Sequence, residues 1–121
     1  MATVLIVEDT ADLRDAFLEI VTDAGYNAVG AENGQCALDV LESLEEPPAL
    51  VLLDIMMPVM DGWQFLQRLR SMNRVPELPV VIVSAVPTPR AGVPDVRKFV
   101  PKPIGPEALL EVVREFCGPP S

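Results

Sequence analysis

Three stretches of the chain are apolar at every position: Val4-Leu5-Ile6-Val7, Leu50-Val51-Leu52-Leu53 and Val80-Val81-Ile82-Val83. Uniform runs of this length fit strands covered on both faces, the situation inside a parallel sheet. They set strands at about Thr3–Val7, Ala49–Asp54 and Val80–Val83, with shorter ones at about Asn27–Ala31 and Lys98–Val100. Between the strands the apolar residues recur at helical spacing. Leu13, Phe17, Ile20 and Val21 predict a helix from about Ala11 to Ala24, stopped by Gly25. Ala37, Val40, Leu41 and Leu44 predict another over about Gly34–Leu44, broken by Pro47-Pro48. A third starts near Asp61-Gly62 and continues to about Met72. The last opens at Pro106, a residue suited to the first helical position, and carries Leu109, Leu110, Val113 and Phe116 up to Cys117-Gly118. Strand and helix alternate, so the fold class is α/β: a doubly wound parallel sheet with helices on both faces. The alternation fails once. Prolines 87, 89 and 94 leave no room for an ordinary helix between Ser84 and Lys102, so the helix due there is short or missing.

Polar residues stand where the apolar runs stop. Glu8 and Asp9 follow the first strand, Asp54 closes the central one, Ser84 follows Val83, and Lys102 follows Phe99-Val100-Pro101. The carboxyl ends of neighbouring parallel strands meet along one edge, where ligands bind. Three carboxylates, a hydroxyl and a lysine then share one pocket. Carboxylates gathered this closely repel unless a cation joins them, and hard cations such as Mg²⁺ take oxygen ligands. A lysine and a hydroxyl beside them suit an anion with several oxygens, above all a phosphoryl group. The pocket is arranged for metal-assisted phosphoryl transfer.

Composition narrows the classes further. At 121 residues the chain reads as one domain over residues 1–121. A net charge of −9 argues against a nucleic acid or an anionic membrane as partner. No apolar run reaches the roughly 20 residues that span a bilayer, and the amino terminus turns acidic too soon for a signal peptide. Cys36 and Cys117 lie inside helical patterns without ligand spacing and read as reduced thiols of a cytoplasmic protein. There is no histidine, which removes catalytic triads and most zinc hydrolases.

In combination these residues resemble the receiver domain of two-component response regulators. The matching pieces are Val7-Glu8-Asp9, then Asp54-Ile55-Met56-Met57-Pro58-Val59-Met60-Asp61-Gly62, then Val83-Ser84-Ala85 and Lys102-Pro103. The resemblance implies a flavodoxin-like fold with five parallel strands in the order 2-1-3-4-5. It implies that Asp54 is the phosphoacceptor, fed by a sensor histidine kinase or a phosphotransfer protein. Mg²⁺ would be held by Asp9 and Asp54, by the Met56 backbone carbonyl, and by Glu8 through a bound water. Ser84 and Lys102 would each contact a phosphoryl oxygen. Phe99 matches the family's switch aromatic, which turns inward when Ser84 moves, and Pro103 its cis-proline turn. Such a domain catalyses only its own phosphorylation and dephosphorylation.

No output domain follows the last helix, so the expected output is a contact with a downstream protein or a relay step. A receiver excised from a longer protein is the other reading of the same length. A degenerate receiver that binds its partner without phosphorylation is the main rival, separable by reaction with a small phosphodonor. An aspartyl-phosphate phosphatase typically has a second aspartate two residues after its nucleophile, where this chain has Met56. A flavin-binding module fits less well, because no hydroxyl-rich phosphate loop follows the first strand.

Overall fold

A computed structural model describes residues 2–54, 62–71, 78–85 and 96–119. The elements follow in the order β1 (Thr3–Val7), α1 (Ala11–Asp23), β2 (Asn27–Ala31), α2 (Gly34–Ser43), β3 (Leu50–Leu53), α3 (Gly62–Ser71), β4 (Val80–Ser84), β5 (Val96–Pro101) and α4 (Pro106–Cys117). The five strands are parallel in the order β2-β1-β3-β4-β5. The segments 86–95 and 55–61 lie outside the described residues. The expected short or missing helix after Ser84, and the Met56 carbonyl, fall in them.

The pleat explains why the central strands are apolar at every position. Leu5, Val7, Val51, Leu53, Val80 and Ile82 point to the side covered by α2 and α3. Val4, Ile6, Leu50, Leu52, Val81 and Val83 point to the side covered by α1 and α4. Successive side chains on a strand face opposite ways, so a strand covered on both sides has no polar position to spare. The core is therefore two sheets of contact that share one layer of backbone.

The helices bury the expected stripes with small rotations. Phe17 and Val21 of α1 are buried, while Leu13 and Ile20 are half-buried. In α2 the buried residues are Gly34, Ala37, Leu38 and Leu41, and Val40 is only half-buried. The helix touches α3 as well as the sheet, which turns its apolar face toward Leu38. In α4 Val112 joins Leu109 and Val113 inside, and Leu110 stays half-buried.

Local chemistry sets the ends. Gly25 follows α1 with a φ of 102°, a left-handed conformation that glycine adopts without a Cβ penalty. The Asn33 side chain accepts from the Cys36 backbone N–H at 2.9 Å and caps α2. Across the molecule, the Tyr26 hydroxyl donates to the Gly118 carbonyl at 2.6 Å, tying the end of α4 to the start of β2. Cys36 and Cys117 are both free thiols; burial pushes the Cys117 thiol up and keeps it protonated.

Phe65 is the largest fully buried side chain and sits where α3 meets the sheet. Phe65→Ala empties that space and is expected to cost about 3–5 kcal/mol. Urea unfolding monitored by circular dichroism measures it; a loss under about 1 kcal/mol would mean that the α3 side of the core repacks freely.

Candidate functional site

The strand order reverses direction at β1: the chain runs out to β2 on one side and returns to β3 on the other. In open α/β sheets that switch point forms a crevice at the carboxyl edge. Register fixes what stands there. Val7 pairs with Leu53, so Glu8 and Asp54 emerge side by side, and the Asp54 N–H donates to the Val7 carbonyl at 3.0 Å. On the other flank Ser84 pairs with Pro101, and the Lys102 N–H donates to the Ser84 carbonyl at 3.0 Å. The peptide bond between Lys102 and Pro103 is cis.

The side chains converge. The Lys102 ammonium donates to Glu8 Oε1, and it lies 3.3 Å from Asp54 Oδ2. Glu8, Asp54 and Ser84 are all buried, whereas Asp9 is exposed. One carboxylate oxygen each from Glu8, Asp9 and Asp54 lies within 4.8 Å of the others. The acidic group thus has a closed side, where Lys102 sits, and an open side marked by Asp9.

Burial dominates the electrostatics. It pushes the Glu8 carboxyl up to about 7, partly offset by the hydrogen bond from Lys102 and raised again by neighbouring Asp9 and Asp54. Burial alone would lower the Lys102 ammonium. The carboxylates of Glu8 and Asp54 outweigh it and hold the lysine above its ordinary value. Lys102 is the cation that lets two buried acids stand together.

The donor set has a clear chemical preference. Three carboxylates with no thiolate or imidazole suit a hard cation, and Mg²⁺ keeps several of its waters, so a loosely spaced set on an open rim accommodates it. Phe99, on the edge strand β5, is 42% exposed. It pairs in register with Ile82, two residues before Ser84.

Two contacts at Glu8 have no counterpart in the sequence reading. The Thr10 N–H donates to Glu8 Oε2 at 3.2 Å, and Arg14 Nη1 donates to the Glu8 backbone carbonyl at 2.8 Å. A backbone donor cannot be read from a sequence. For Arg14 there is one faint signal, a glycine inside β2, which marks close approach of another group.

The family model for the response regulator receiver domain matches residues 4–114. The chain belongs to that family. The receiver is 36% identical to the response regulator Rre1 of Synechocystis over 94% of its own length and 51% of Rre1. It spans less than half of several other curated relatives, such as 24% of FleR from Pseudomonas aeruginosa. Among solved structures, a receiver domain protein from Methanospirillum hungatei is 32% identical and superposes with a TM-score of 0.85, covering 97% of this chain and 94% of that one. The response regulator TrrA of Thermotoga maritima, solved in complex with Mg²⁺–BeF, is 26% identical with a TM-score of 0.81, covering 96% of this receiver and 99% of TrrA. The fold is flavodoxin-like, and the receiver's place is in two-component signal transduction, chiefly as a signalling domain and not as an enzyme. No helix among the described residues is long and apolar enough to cross a membrane.

Proposed function

We propose that this receiver takes a phosphoryl group from a phosphohistidine of a sensor histidine kinase or phosphotransfer protein onto Asp54, and signals the change to a downstream protein. The observation that supports it most is the position of Asp54, between an acidic group that can hold a metal and the Lys102 ammonium. A carboxylate is itself the nucleophile here, so the transfer needs no general base. An Asp54 oxygen forms a bond to phosphorus while the P–N bond of the donor breaks, and the electron pair leaves with the imidazole nitrogen. Lys102 then shifts from Asp54 to an oxygen of the transferred group, and the Ser84 hydroxyl donates to another. Mg²⁺ would be held by the Glu8, Asp9 and Asp54 carboxylates and would supply charge neutralisation for the phosphoryl oxygens. The backbone carbonyl of Met56 is assigned as a further ligand on the family resemblance alone.

Movement of Ser84 toward the phosphoryl group opens space behind it, and Phe99 turns from its exposed position into that space. Pro103 fixes the turn that presents Lys102. The reading covers residues 1–121 as one receiver domain acting in the cytoplasm, with a protein surface and no nucleic acid as its target.

The metal assignment has its own test. Asp9→Asn removes one of three anionic donors, and Mg²⁺ affinity measured by calorimetry is expected to fall on the order of 10-fold, a loss of about 1.4 kcal/mol. Native affinity in the variant would remove Asp9 from the ligand set.

A further inference from the structure

The Glu8 carbonyl lies just past the last paired row of β1. The pairing with β2 ends at Val7 and Ala31, and the Glu8 N–H makes the last ladder bond, donating to the Ala31 carbonyl at 3.0 Å. The carbonyl itself points beyond the ladder, and Arg14 of α1 meets it at 2.8 Å. Arg14 reaches it by laying its stem over β2 at Gly30. A Cβ at Gly30 would stand 3.2 Å from Arg14 Cδ and 3.3 Å from Arg14 Cγ, with Leu18 Cδ1 at 3.1 Å. Those separations are tighter than most real Cβ contacts, so a side chain at Gly30 would make Arg14 and Leu18 give way by a few tenths of an ångström.

We propose that Arg14, seated in the notch left by Gly30, is a positioning residue for the metal site: it holds the Glu8–Asp9 turn so that the Asp9 carboxylate is placed before a cation arrives. The inference rests on the Mg²⁺ reading above and adds residues to it. Its physical basis is the orientation of ligands by groups that do not touch the metal, which in tight sites is worth roughly 10- to 100-fold in affinity. An exposed ligand such as Asp9 feels the lower end. Arginine suits the task because its planar fork donates in a fixed direction and cannot lose its charge.

A simple deletion of Arg14 would mislead. Removing a cation near the site favours Mg²⁺ by charge while loosening the turn disfavours it. A double-mutant cycle separates the two. Gly30→Val keeps the arginine and its charge but fills the notch, and a β-branched residue suits a strand. Mg²⁺ dissociation constants are measured by calorimetry in the metal-free full chain for the native protein, Gly30→Val, Arg14→Met and the double variant. Gly30→Val is expected to weaken Mg²⁺ by roughly 5- to 10-fold in the native background and to have no effect in the Arg14→Met background. Gly30→Ala, a smaller intrusion, gives an intermediate loss and stands in if the valine variant does not fold. An equal penalty in both backgrounds, or none in either, overturns the role of Arg14 while leaving the metal site intact. A native chain that takes up no Mg²⁺ overturns the metal reading and this inference with it.

Discussion

Incubated with acetyl phosphate and Mg²⁺, the native chain gains the mass of one phosphoryl group and the Asp54→Asn variant gains none. Asp54 closes β3, the middle strand of the sheet, and lies 3.3 Å from Lys102. Glu8 is engaged by Lys102 and the Thr10 N–H, and burial raises its carboxyl to about 7, which makes it a poor nucleophile near neutrality. Asp9 is exposed, and no ion pair to it is found among the described residues. An asparagine amide is nearly isosteric and keeps the fold, yet it carries no charge to attack phosphorus. Intact-mass spectrometry reads the result directly. A full increment in Asp54→Asn would move the phosphoacceptor elsewhere and undo the proposed function.

Replacing Lys102 by methionine should produce opposite changes in two measurements. Phosphorylation by a small donor is expected to slow by about 100-fold or more, the usual cost of deleting one preorganised donor to a developing anion. Mg²⁺ should bind more tightly, because the lysine no longer competes for Glu8 and Asp54. Stability without metal should also fall. Deleting one partner of a buried ion pair costs about 3–5 kcal/mol, and here the loss should be nearer 2 kcal/mol, since Glu8 can escape by taking up a proton. Mg²⁺ should then restore more stability to the variant than it adds to the native chain. A variant that transfers slowly but binds Mg²⁺ no better would mean that the lysine acts on the phosphoryl group alone and not as a resident counter-ion.

The reach of the sequence reading follows from what each signal depends on. The strands β1, β3 and β4 and the order of the described elements are legible because apolar runs covered on two sides have no polar interruptions. The sequence pattern gives β5 only about Lys98–Val100, whereas it spans Val96–Pro101: Arg97 is exposed, and the register irregularity between Val80 and Val81 falls opposite it. In α2 Ala37 and Leu41 are buried as the pattern predicts, and the face is rotated only enough to add Leu38 and leave Val40 half-buried, since a helix that also packs on α3 answers to two neighbours. At the site, Glu8, Asp9, Asp54, Ser84 and Lys102 were visible as strand-end residues whose types already imply a chemistry. Arg14 was not. A single arginine on an amphipathic helix looks like any solvated one, and only the tertiary passage over Gly30 gives it a direction.

The bond from Tyr26 to Gly118 has a practical consequence for handling the molecule. Tyr26 directly precedes β2, so α4 finishes beside the starting edge of the sheet, and Thr3 opens β1 along the same edge. Strands of five residues at about 3.3 Å each put roughly 16 Å between that edge and the reactive one. Labels attached near Ala2 or Gly118 would therefore sit on the far side and leave the acidic pocket open.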